Sequence, residues 1–379
     1  MKKIFLQISF ICLVNCCFTS ELFAAGKKDV STTSTIDVAN TQNADAATAA
    51  TPDSDAVEDW PSSLEPEDSG AQKIAYRREA PSGEPAKFHE VWAYVIDGRE
   101  QDFTENMPVT DLCIFSASVN IYGEINYIPD PSRIKNYKGR KHLVVTCDSR
   151  ALTHFVLDPS YGVRKSVVAQ LAKAARKYDG LQIDFELVPL RDAKNFRTFL
   201  SEVRARIGKE KWFSVALPAR VRDIADDVYN YKLIAPCVDR IIIMAYDEHW
   251  GGSKPGPVAG YDWCEKVVDY AATTMPAKKL VMGLPFYGRT WLNESPAGAY
   301  RFESINTILN DNNIHSVTRD EGQIPSFTYN TLVTVTGYFD DTQSLLYRSR
   351  MYESKNVQRV AFWRVGQEDS TFWKWIQLK

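Results

Sequence analysis

The stretch "SVVAQLAKAARKYDGLQIDFE", residues 166–186, changes its hydrophobic period part-way along. Val167, Val168, Leu171, Ala174, Ala175 and Tyr178 recur at the spacing of one helical face. Beyond Asp179 and Gly180 the period becomes two. Leu181, Ile183 and Phe185 alternate with Gln182, Asp184 and Glu186, as in a strand with two unlike faces. A helix delivered straight into a strand is half of a crossover unit, and such units pair their strands in parallel through right-handed connections.

The same alternation runs outward in both directions. Strands are expected at "HEVWAYVI" (89–96), "LCIFSASV" (112–119), "HLVVTC" (142–147), "LQIDFE" (181–186), "WFSVALP" (212–218), "RIIIMAY" (240–246), "KLVMGLPFY" (279–287) and "QRVAFWRV" (358–365). Helices are expected over 166–178, over 192–208 with Gly208 as its stop, and over 264–274. Eight strands with helices between several of them predict an α/β fold, a (β/α)8 TIM barrel, rather than an open sheet. The stretch 291–338 exceeds one crossover and reads as a small insertion before the last strand.

Three regions differ in composition. Lys2 and Lys3 followed by "IFLQISFICLV" read as an export signal over residues 1–25. Cleavage near Ala24 or Ala25 fits it, and so does lipidation at Cys16 in "LVNC", which would tether the protein to a membrane. Residues 26–75 read as a disordered acidic linker: 26–70 hold ten acids against Lys27 and Lys28 and almost no large apolar residue. The catalytic barrel is expected over 88–379. With the whole chain at −3, that part is mildly basic, too weakly so to indicate nucleic acid. No run of about 18 apolar residues follows the signal, so no internal transmembrane helix is expected. Cys113, Cys147, Cys237 and Cys264 match no zinc pattern and read as buried free thiols, with disulfide pairing the other reading. His89, His142, His154, His249 and His315 form no ligand spacing. Nothing in the sequence specifies an oligomeric state.

Chemistry gathers at strand ends. Gln182, Asp184 and Glu186 share one face, which in a barrel is the inner one, near the C-terminal mouth where such folds keep their sites. Two carboxylates there are costly unless they work or are paired. A hard-cation site is a rival reading, but the apolar residues between them do not suit a calcium loop.

"DGLQIDFE" (179–186) resembles the DxxDxDxE signature of glycoside hydrolase family 18, the chitinase family, with Gln182 in place of its second acid. "MAYDEHW" (244–250), "GLPFYGRTW" (283–291) and "AFWRVGQED" (361–369) follow in the family's order, and the resemblance covers about 88–379. It is closest to the bacterial branch of spore-cortex and peptidoglycan N-acetylglucosaminidases. The Ser-x-Gly-Gly pattern usual after the third strand is missing, and "TCDSR" stands there.

The resemblance implies an exported glycosidase acting on β-linked N-acetylglucosamine polysaccharides, peptidoglycan ahead of chitin, by substrate-assisted retaining hydrolysis without metal or cofactor. Glu186 would be the acid and then the base, Asp184 the group orienting the acetamide, and Tyr246 the donor to its carbonyl. Asp247, Trp363, Tyr287 and Arg289 would contact substrate. Gln182 is placed with them, donating to an Asp184 that stays ionised, so that Gln182→Asp would shift the pH–rate profile. A chitinase, an endoglycosidase on other glycans, or a sugar-binding protein without catalysis are the alternatives. Asp179 is expected to be a structural hydrogen-bonder.

Overall fold

The computed structural model describes Tyr76 and residues 80–379. The signal, Cys16 and the acidic linker lie outside the described residues.

Eight parallel strands close on themselves. They are β1 (Glu90–Ile96), β2 (Asp111–Val119), β3 (Arg140–Thr146), β4 (Gly180–Asp184), β5 (Trp212–Pro218), β6 (Arg240–Met244), β7 (Leu280–Pro285) and β8 (Arg359–Trp363). Each pairs with the next, and β8 returns to β1, with Val360 beside Val91. Every expected strand is present. Closure leaves no exposed edge, which an open sheet of this size would have to protect.

The alternation read from 181–186 separates two cores. Leu181, Ile183 and Phe185 face outward into the layer between barrel and helices. There the ring of Phe185 stacks on Phe196 and Phe199 of α3 (Ala193–Ile207), at centroid distances of 6.4 and 5.4 Å. Inside the barrel, Trp92, Tyr94, Cys113, Val144, Ile242, Val281 and Ala361 pack together. Below them the base of the barrel is polar. Glu90 accepts from Arg240 at 2.9 and 2.5 Å and from the Trp92 indole at 3.0 Å, with Arg359 at 3.2 Å. Asp111 takes Arg140 at 2.6 and 2.7 Å and the buried His142 at 2.8 Å. Arg140 and Arg240 both lie over the Trp212 ring, at 4.4 and 4.7 Å. These charges are paired and stacked, which is the condition for burying them.

The helical layer shows two features that the three expected helices did not include. The chain between β2 and β3 carries no α-helix. A hairpin turn at 120–124 and a 3-10 turn (Pro131–Arg133) run down the barrel instead, held by the Gln170 side chain. Gln170 lies on α2 (Arg164–Ala174), which ends four residues before the expected Tyr178 by tightening into a 3-10 turn. Ahead of α2 comes an unexpected short helix, α1 (Arg150–Leu157), capped by Ser149.

The insertion is larger and more regular than a loop. It begins at Tyr287, not Trp291, and folds as a five-stranded antiparallel sheet with a helix (Phe302–Asp311). Phe302, Ile305, Leu309, Phe327 and Phe339 form its core. Its end is anchored by Asp340, which the fully buried Arg348 pairs with while also donating to the Ala259 carbonyl. Cys113, Cys147 and Cys264 are buried, Cys237 is half-buried, and all four are free thiols.

Candidate active site

The mouth of the barrel collects the residues expected to act. Asp184 is the last residue of β4 and is only 5% exposed. Glu186 follows two residues later, on the same face and half-buried. The backbone on both sides of Glu186 is held by one side chain from the β5–β6 connection. The Tyr229 hydroxyl donates to the Phe185 carbonyl at 2.9 Å and accepts from Val188 N–H at 3.0 Å. Sequence reading missed Tyr229, because its partner lies more than forty residues away.

Tyr246 stands two residues beyond β6. Burial first, then the charges of Asp184, Glu186 and Asp247, push its hydroxyl well above the ordinary tyrosine range. It therefore remains a proton-bearing donor across the working pH range. Room for its ring comes from Gly283 on β7: a Cβ there would sit 2.6 Å from the Ile243 carbonyl and 3.1 Å from the tyrosine ring.

Asp247 adopts φ +59° and turns the chain out of the strand. One oxygen, Oδ1, takes the Tyr287 hydroxyl at 2.7 Å and Arg289 Nη2 and Nε at 2.8 and 3.1 Å. Tyr287 and Arg289 belong to the first strand of the insertion, so the inserted sheet supplies this side of the cleft. Trp363 ends β8, with Phe115 at 4.9 Å and Tyr94 at 5.3 Å against it. Phe115 and Tyr94 were not singled out from sequence. Each is one aromatic in an apolar strand, and only closure brings them under Trp363.

Gln182 departs from expectation. It is fully buried, one layer beneath the mouth, and does not donate to Asp184. Its carbonyl accepts from the Tyr94 hydroxyl at 2.7 Å, while its amide donates to Ser214 Oγ at 3.0 Å and points at Cys113 Sγ at 3.8 Å. It cross-links β1, β4 and β5 and has no surface to offer a sugar.

The proton state of Asp184 also departs from expectation. Its Oδ1 is buried without a hydrogen-bond donor. Burial first, then Glu186, then Asp148 hold the carboxyl well above the usual carboxylate range. Asp184 therefore favours its protonated form, the reverse of the charge expected from the amide at 182. Asp148 lies in the "TCDSR" stretch just past β3, where Thr146 pairs in register with Asp184. The divergence of that stretch was the available signal for it. Asp179, at the far end of β4, accepts from the Lys141 backbone at 2.8 Å, a structural role.

His154, which showed no ligand spacing in sequence, meets two carboxylates in space. Nδ1 lies 2.8 Å from Asp192 and Nε2 3.7 Å from Asp158, and the three fall within reach of a single ion. The two ring nitrogens face different acids, so the cluster satisfies itself.

The chain that carries these residues also matches a family model. The model for glycosyl hydrolases family 18 covers residues 152–368. The chain belongs to this family. Similar proteins include Bacillus subtilis YdhD, named for a sporulation-specific glycosylase, at 29% identity over 205 residues, 51% of this chain and 48% of that one. The cortical fragment-lytic enzyme of Bacillus subtilis is 25% identical over 54% of this chain and 51% of its own. The chain thus spans about half the length of these relatives. Among solved structures, the spore cortex-lytic enzyme SleL of Bacillus cereus shares the fold, with a TM-score of 0.69 at 21% identity, covering 78% of this chain and 75% of that one.

Proposed function

We propose that this family 18 barrel hydrolyses β-linked N-acetylglucosamine polysaccharides with retention, with peptidoglycan as the favoured substrate. The observation that carries this reading is the convergence of Glu186, Asp184 and Tyr246 at the barrel mouth, where Trp363 ends β8. Relatives named for cortex lysis support the choice of polymer.

In this mechanism Glu186 protonates the glycosidic oxygen. The acetamido carbonyl of the bound sugar attacks its own anomeric carbon, breaking the bond to the leaving sugar. Tyr246 donates to that carbonyl and sets its direction. Asp184 accepts a hydrogen bond from the acetamide N–H through its carboxyl oxygen and so stabilises the positive charge that grows on that nitrogen. Water opens the resulting ring, with Glu186 now taking the proton. Trp363 forms the apolar floor, and Asp247, held by Tyr287 and Arg289, keeps its second oxygen available for a sugar hydroxyl.

The test is product analysis. The purified protein is incubated with peptidoglycan and, separately, with N-acetylglucosamine oligomers, and new reducing ends are identified by mass spectrometry. Reducing N-acetylglucosamine ends from peptidoglycan, absent with Glu186→Gln, are the expected result. Muramic acid reducing ends would contradict the bond assigned, and cleavage of the oligomers alone would make the protein a chitinase.

We also propose export, from the basic start and apolar run at residues 1–25, with Cys16 as a lipid anchor. Fractionation of cells making the full chain tests both parts. Cys16→Ala is expected to move the protein from the membrane to the soluble envelope fraction, and a protein confined to the cytoplasm would refute export.

A further inference from the structure

Two arginines near the end of β8 have no carboxylate within ion-pair distance among the described residues. Arg364 follows Trp363 directly and is half-buried. Its one hydrogen bond among the described residues is a marginal one, from Nη1 to the Val365 carbonyl at 3.5 Å. Arg301 reaches the same place from the insertion. It pairs in register with Tyr287, whose neighbour Phe286 donates its N–H to the Trp363 carbonyl at 2.7 Å. The following residue, Phe302, donates its N–H to the Gln367 carbonyl at 2.9 Å, so the start of that helix is tied to the segment after β8. The Arg301 side chain is exposed and makes no hydrogen bond or ion pair with the described residues.

The acids nearby do not neutralise them. Asp102 is gripped by Arg99 through Nε and Nη2, both at 3.0 Å. Glu368 accepts from the Trp373 indole at 2.9 Å and from Gly366 N–H at 2.6 Å. Gly366, at φ +86°, lets the chain pass so close to Asp102 that a Cβ would stand 2.3 Å from its carboxylate. The electrostatics agree with this placement. Burial lowers the proton affinity of Arg364, Asp102 and Glu368 oppose the effect, and Arg99 and Arg301 reinforce it. Arg364 is thus a half-buried guanidinium with most of its N–H groups unengaged and no carboxylate within ion-pair distance among the described residues. Its fork suits two parallel hydrogen bonds to one.

We propose that Arg364 and Arg301 form an anion subsite beside Trp363 that receives a carboxylate carried by the polysaccharide substrate. The proposal rests on the glycosidase reading above and narrows it. Plain N-acetylglucosamine polymers have no such group. Peptidoglycan has two sources: the lactyl ether on alternate sugars, free once peptides are removed, and the acids of the peptide stems.

The test holds the glycan constant and changes only its charge. Peptidoglycan strands are prepared with free carboxylates and with the same carboxylates blocked as amides, each with and without their peptides. The full chain and the double variant Arg301→Gln/Arg364→Gln are compared, with melting temperature as the check on folding. On free-carboxylate strands the double variant is expected to lose about tenfold or more in kcat/KM beyond its loss on blocked strands, chiefly through KM. The preference of the unmodified protein for free carboxylates should also fall as salt is raised. Preference that survives peptide removal assigns the lactyl group, and preference that vanishes assigns the stems. Equal losses on free and blocked strands would overturn the subsite. If the unmodified protein cleaves neither form, the glycosidase reading fails. The subsite is then decided by binding of the two strand forms to the same proteins, where equal affinities overturn it.

Discussion

Asp184 shows how far a single residue can be read from its neighbours. Its face was legible, because a two-residue period admits one assignment once Leu181, Ile183 and Phe185 point at helices. Its charge was not. The amide at 182 is engaged by Tyr94 and Ser214, 88 and 32 residues away, so it leaves Asp184 Oδ1 without a donor. Two outcomes follow from that geometry. A carboxyl whose proton affinity is raised by folding contributes stability below the ordinary carboxylate pKa and loses it as pH rises. Asp184→Asn should therefore abolish turnover yet raise the melting temperature at neutral pH by about 2–4 °C. The gain should shrink toward pH 4, and melting curves across pH check it; a gain that grows on acidification would contradict the raised value. Gln182→Ala should cost about 2–5 kcal/mol in urea unfolding, from the cavity and from two buried hydroxyls left unpaired.

At the scale of elements, the strands were the most legible features, since each joins an apolar run to a turn signal. The helical layer was less so. Nothing local forbids a helix between β2 and β3. The segment forms turns instead, with Gln170 of α2 bonding its backbone and the Tyr178 hydroxyl donating to the Pro129 carbonyl. The insertion was legible in length but not in form, since its sheet depends on pairing 287–292 with 334–338 across more than forty residues. The loop after β4 depends on another element in the same way. Tyr229 fixes the backbone on either side of Glu186 from the β5–β6 connection. Tyr229→Phe removes both bonds and should lower kcat about tenfold, with KM little changed and a fall of a few degrees in melting temperature at most. Steady-state kinetics on a soluble glycan check it, and an unchanged kcat would remove Tyr229 from the positioning of the acid.

For the whole molecule, the barrel separates work from support. The C-terminal mouth holds Asp184 with a buried oxygen lacking a donor, while the N-terminal base pairs Glu90 and Asp111 with arginines. Burial pushes the Glu90 carboxyl up, but Arg240 and the Trp92 indole outweigh it and bring it below its ordinary value. Such a group stabilises the fold above its unfolded pKa, and the contribution is lost as pH falls through the lower folded value. Glu90→Gln should therefore be less stable than the natural chain by about 3 kcal/mol at neutral pH, leaving Arg240 and Arg359 without their shared carboxylate. The gap should close on acidification below about pH 4, as followed by tryptophan fluorescence during acid unfolding. A gap independent of pH would assign Glu90 a packing role only.

From its sequence alone, this protein's strand count, the parallel barrel, the shared face of Gln182, Asp184 and Glu186 and the family resemblance all followed. Periodicity and short motifs are local, and one chain segment carries each of them whole. Only the tertiary structure decided that Gln182 is a buried cross-link, that Asp184 favours its proton, and that Tyr229 holds the loop of Glu186. Each of those depends on side chains from strands far apart in the sequence. Their distances exist only once the barrel closes, and hydrogen bonding and desolvation act over those distances.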